Sequence, residues 1–122
     1  MEGTRRNVDY LIDSGADFIM PMCGTGLVYD AGLADYEAVV GTFVDQADGR
    51  ALVVPGVGPG FGRCLEMAEI ARSAGAAGVM IMPIVGPASD NGVRTGLESI
   101  ARRARLPTIL YQRRLDIMPV DH

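Results

Sequence analysis

The chain has 122 residues, of which 48% are hydrophobic and 21% charged, and its net charge is −4 at pH 7. That length suits a single core but is short for a closed barrel of parallel strands. The acidic balance argues against a nucleic-acid partner, which needs basic side chains clustered on one face. All 11 basic residues are arginine, so no side chain here can form an imine.

No charged amino-terminal region precedes an apolar core and a small-residue cleavage site, and the longest uncharged stretch, Ser73–Ser89, is interrupted by Gly and Pro. The expectation is a cytoplasmic chain without membrane contact. Cys23 and Cys64 lie far apart without a metal-type spacing, which reads as two reduced thiols.

Val8, Leu11 and Ile12 have the i, i+3, i+4 spacing of a helix stripe, and Gly15 follows where a helix would stop. The apolar run Ala16–Met22 then reads as a strand. After a glycine-rich loop, Tyr36, Val39, Val40, Phe43 and Val44 mark a second amphipathic helix. The run Ala51–Pro55 is followed by a helix with Cys64, Met67, Ala68 and Ala71 on one face. Gly78–Pro83 is followed by one with Val93, Leu97, Ile100 and Ala101, and Pro107–Tyr111 is the last run. Short, continuously apolar strands separated by helices need cover on both faces and crossover connections, which makes the sheet parallel. Ser14–Pro21 echoes Ser73–Pro83, as expected of a repeated βα unit, and no linker or low-complexity tract divides residues 1–122.

In parallel α/β folds ligands meet the carboxyl ends of the strands, so the informative residues follow each run. Gly24-Thr25-Gly26 sets a hydroxyl between two glycines; it suits a tight turn, or an anion cradle in which backbone amides and the Thr oxygen converge on a carboxylate. Gly56–Gly62 fits neither a dinucleotide nor a P-loop pattern, and reads as a structural turn or a close backbone approach. Tyr111 ends a run and is either a core residue with its hydroxyl at the rim or a proton relay, with Thr25 a candidate neighbour. Arg113 and Arg114 are surface charges or carboxylate forks.

Cys23 lacks a base, since the only histidine is the terminal His122, and the acidic residues lack metal-ligand spacing. Met20, Met22, Met80 and Met82 read as core filler.

In order and separation, Asn7–Ile12, Ser14–Asp17, Gly24-Thr25-Gly26, Pro55–Gly58, Ala74-Gly75-Ala76 and Leu106–Tyr111 together resemble the dihydrodipicolinate synthase and N-acetylneuraminate lyase superfamily of Schiff-base (β/α)₈ enzymes. Within it, Arg113 two places after Tyr111, and Asp35-Tyr36 opening the second helix, are most similar to 5-dehydro-4-deoxyglucarate dehydratase.

The fold class this resemblance implies is α/β: a single partial (β/α)₈ TIM barrel of parallel strands over residues 1–122. It runs from the family's first helix to its fifth strand and is incomplete in this chain. The resemblance also implies Thr25 and Tyr111 as the catalytic proton-relay pair, with Gly24, Thr25, Gly26 and Arg113 binding a 2-oxo acid.

The implied function is a fragment of a Schiff-base-forming lyase for 2-oxo sugar acids, dehydrating and decarboxylating, with its lysine on a sixth strand outside this chain. This chain alone is then inactive. A synthase- or lyase-type aldolase fragment and a non-catalytic α/β module are the alternatives. No cofactor or metal is needed, and the complete enzyme is expected to be a homo-oligomer. Leu27, Ile84 and Gln112 replace the Glu, aromatic and Asn common in the family.

Overall fold

The computed structural model describes residues 1–24, 27–83 and 88–112. The elements alternate as the sequence pattern requires: α1 (Glu2–Asp13), β1 (Phe18–Ile19), α2 (Leu33–Ala47), β2 (Leu52–Val53), β3 (Gly56–Val57), α3 (Phe61–Ala74), β4 (Val79–Ile81), α4 (Asp90–Ala104) and β5 (Thr108–Leu110). β2 and β3 are two halves of one extended run. Pro55 between them has no N–H to give to the ladder, although its carbonyl still accepts from Met80 N at 2.9 Å.

Every strand pair is parallel: β1 with β2, β3 with β4, and β4 with β5. Bonds from Gly56 N to Pro21 O at 3.0 Å and from Ala77 N to Val53 O at 2.9 Å join the two halves into one sheet in chain order. The order never reverses, and α1 packs on α2, α2 on α3 and α3 on α4. That is a singly wound arrangement, as in a barrel wall, rather than a doubly wound sheet with a switch point. The wall does not close among the described residues.

Helix ends follow local chemistry. Ser89 caps α4, its Oγ accepting from Gly92 N at 3.0 Å. Gly75, at φ +91°, ends α3 in the left-handed region that glycine occupies without strain. Between α1 and α2, the Asp9 carboxylate accepts from Gln46 Nε2 at 2.9 Å and from Arg50 at 2.7 Å, bonds that hold its pKa below the usual carboxylate range.

The helical faces read from spacing are largely the buried ones. Cys64, Met67, Ala68 and Ala71 of α3 are all buried, as are Tyr36 and Val40 of α2. On α4 the expectation for Ala101 is corrected: it is exposed, and Ala104, one turn beyond Ile100, takes the core position.

Cover on both sheet faces, expected from the apolar runs, is not what the described residues provide. Ile19 and Val53 pack beneath α1 and α2 with Val8 and Ala47. Their neighbours Phe18 and Leu52, which face each other in register, are 40% and 55% exposed, and Ile109 is 40% exposed. Successive strand residues point to opposite faces, so the helices cover one side and the side that lines a barrel interior stays open.

Candidate functional site

The carboxyl ends of the strands converge on a cavity of about 450 Å³. Among the described residues, Cys23, Tyr29 and Tyr111 are the polar side chains that line it, with Gly24 beside them. Met20, Met80, Met82 and Pro83 form the apolar wall. The position follows from the fold, because β1 and β4 each run into a loop at this end and β5 delivers Tyr111 directly after its last residue. Tyr111 N donates to Ile81 O at 3.1 Å, which pins the end of β5 to β4 while the side chain stays 40% exposed.

Two of the sequence-derived site residues, Gly24 and Tyr111, therefore share one cavity. Thr25, Gly26 and Arg113 lie outside the described residues, as do Ile84, Arg114 and His122. Among the described residues nothing crowds Gly24: an added Cβ would stand 3.6 Å from Met82 Cε, an ordinary contact. Leu27 is 62% exposed and adopts φ +62°, a left-handed turn conformation costly for a branched side chain.

Cys23 is half-buried, and its Sγ lies 3.8 Å from the Pro21 carbonyl it donates to. Burial pushes its thiol pKa up. Met20 is 46% exposed on the cavity wall, so the reading of it as core filler is corrected. Met22, Met80 and Met82 are buried as expected.

The glycine-rich run after β2 turns out to be a close approach. A Cβ on Gly56 would collide with the Met22 carbonyl oxygen of the adjacent strand end. The Gly56 carbonyl accepts a 2.8 Å hydrogen bond from Tyr36 Oη, fully buried in α2.

Sequence reasoning missed Tyr29, which lines the same cavity as Tyr111. Its one signal was an aromatic residue three places after the Gly-Thr-Gly loop, in a segment without periodicity. Burial, and then Cys64, Cys23 and Tyr111, push its pKa up. Among the described residues no group of His, Cys, Asp and Glu could hold a metal ion, and no helix is long and apolar enough to cross a membrane.

A model of the dihydrodipicolinate synthetase family matches residues 1–116. A probable 5-dehydro-4-deoxyglucarate dehydratase of Streptomyces avermitilis is 34% identical over 114 residues, covering 93% of this chain and 34% of the relative. A 4-hydroxy-tetrahydrodipicolinate synthase of Methanococcus maripaludis is 30% identical over 112 residues, covering 90% and 39%. The crystal structure of dihydrodipicolinate synthase from Oceanobacillus iheyensis superposes with a TM-score of 0.89 at 28% identity, over 94% of this chain and 39% of that one. The chain thus spans roughly a third of the length of the curated relatives it matches, and its open sheet corresponds to part of their barrel. With its strand order, its strand-end cavity and the family match over nearly its whole length in agreement, this chain belongs to the dihydrodipicolinate synthetase family.

Proposed function

We propose that these residues form the substrate-facing part of a Schiff-base lyase for 2-oxo sugar acids, of the 5-dehydro-4-deoxyglucarate dehydratase type. The observation that carries the reading is Tyr111, delivered by β5 into the same cavity as Gly24, the first residue of the Gly-Thr-Gly loop. A phenol at that place can pass a proton between the imine carbon skeleton and a leaving hydroxyl, with Thr25 orienting it. The amides of Gly24-Thr25-Gly26 would face the 2-oxo acid's carboxylate, and Arg113 a further carboxylate.

The reaction needs an amine that condenses with the substrate ketone, releasing water, so that the cationic imine draws electrons from the adjacent carbon. Since all basic residues here are arginine, that lysine belongs to sequence other than residues 1–122. The imine serves as electron sink, so neither metal nor organic cofactor enters the proposal. An aldolase of the synthase type is the second reading, supported by the relative from Methanococcus maripaludis that bears the synthase name. A homo-oligomeric assembly in the cytoplasm is part of the same proposal.

Borohydride reduction in the presence of 5-dehydro-4-deoxyglucarate or pyruvate tests it. Reduction converts the imine to a stable secondary amine that peptide mapping locates. The expected adduct lies on a lysine outside residues 1–122. Absence of any adduct in the full-length protein, or a covalent adduct mapped to Tyr111 or Arg113, overturns the reading.

A further inference from the structure

The connection from β1 to α2 brings to the cavity a residue outside both the relay pair and the carboxylate cradle. Val28 is fully buried in the core, and its neighbour Tyr29 lines the cavity with Tyr111. The segment is a series of turns: Val28 N donates to Cys23 O at 3.3 Å, Asp30 N to Leu27 O at 3.0 Å and Ala31 N to Leu27 O at 3.2 Å.

Two carbonyls of these turns meet one guanidinium. Arg63 Nη2 donates to Val28 O at 2.9 Å and also to Ala31 O, while Arg63 Nε donates to Gly58 O at 2.9 Å. One side chain thus ties the Tyr29 segment to the turn that follows β3. Arg63 lies in the first turn of α3, near the positive end of the helix dipole, where a cation is disfavoured, and no acidic residue stands in that turn to offset it. Helix stability does not explain an arginine there; the three carbonyls do. A planar fork can address two loops at once, which the single ammonium of lysine cannot reproduce.

We infer that Tyr29 contacts the substrate as a second phenol of the cavity, selecting 2-oxo acids that carry hydroxyl groups, and that Arg63 is the positioning residue that holds it there. The inference rests on the reading of this cavity as a 2-oxo acid site. A phenol both donates and accepts a hydrogen bond, so it rewards a substrate hydroxyl remote from the ketone and gives nothing to an acid that lacks one. The same burial that raises the Tyr29 pKa keeps the phenol protonated and able to donate.

Competition trapping in the full-length protein reads the selectivity directly. An equimolar mixture of 5-dehydro-4-deoxyglucarate and pyruvate is reduced with borohydride, and the adducts derived from each acid are compared by mass. Tyr29→Phe is expected to shift the adduct ratio toward pyruvate by roughly tenfold, the worth of one hydrogen bond to a polar ligand group. Arg63→Ala should shift it similarly, the double variant no further than either single one, and Arg63→Lys should not restore it. An unchanged ratio in Tyr29→Phe overturns the contact, and additive shifts overturn the positioning role.

Amide exchange separates this inference from the reading it rests on. Arg63→Ala, or Arg63→Gln if the alanine variant fails to fold, should speed exchange at residues 27–31 and leave α4 unchanged. Equal exchange there overturns the clamp. If the wild-type protein traps neither acid, the 2-oxo acid reading and the Tyr29 contact fall together, while the clamp still stands or falls on exchange alone.

Discussion

The Tyr36 hydroxyl donates to the Gly56 carbonyl at 2.8 Å from a fully buried position, fixing α2 to the first residue of β3. Removing that hydroxyl leaves a buried carbonyl without this donor. Tyr36→Phe is therefore expected to lower unfolding free energy by about 1–2 kcal/mol, measured by urea denaturation. A change indistinguishable from zero would mean that solvent reaches the Gly56 carbonyl.

Alkaline pH should weaken the fold through two buried acids. Burial lifts the Cys64 thiol from 9.0 to about 11 and also raises the Tyr36 phenol. For each, the folded state holds the proton more tightly than the unfolded state. The stabilisation is thus complete below the unfolded pKa and is lost as pH rises toward the folded one. For Cys64 that window runs from 9.0 to about 11, a loss of roughly 2–3 kcal/mol at 1.36 kcal/mol per unit. Cys64→Ala should flatten the stability profile across that window, whatever constant offset its smaller side chain adds. Parallel profiles for variant and wild type would rule the thiol out as the source.

What the sequence made legible was whatever depends on a residue's own spacing. Cys64, Met67, Ala68 and Ala71 repeat at helical intervals, and all four are buried because one helix face meets the sheet. Ala101 was misread because both it and Ala104 fit the stripe, and only the packing of α4 against its neighbours distinguishes them. Phe18 and Leu52 look like core residues because an apolar run carries no mark of which face is covered. Tyr111 was recoverable because it ends a run, and strand ends are where sites form. Tyr29 and its clamp were not, since Arg63 reaches Val28 O across 35 positions of sequence and no local pattern encodes that contact.

Two glycines at the same end of the sheet should respond unequally to alanine. A Cβ on Gly56 would strike the Met22 carbonyl oxygen and come within 3.1 Å of Cys23 Cα, both backbone atoms that move only if the strand ladder moves. Gly56→Ala should cost about 1–3 kcal/mol by thermal or urea unfolding. At Gly24 the nearest atom among the described residues is the flexible end of Met82, 3.6 Å away, so Gly24→Ala should stay within about 0.5 kcal/mol of wild type. Equal losses at both positions would contradict the packing described for the mouth.

The open side of the sheet gives the sharpest test of the barrel reading. Phe18 and Leu52 are partners in register, and with Ile109 they present large apolar side chains on the face opposite the helices. If further strands complete the wall in the full-length protein, that face is its interior. Leu52→Asn would then forfeit about 1.5–3 kcal/mol of burial and leave an amide without partners. In a polypeptide cut after Gln112 the same change should cost little stability and reduce binding of a hydrophobic dye, because the face meets water there. The two measurements must diverge. Equal tolerance of Leu52→Asn in both would show that nothing covers the face, and an uncovered face cannot enclose the strand-end cavity that the proposed chemistry requires.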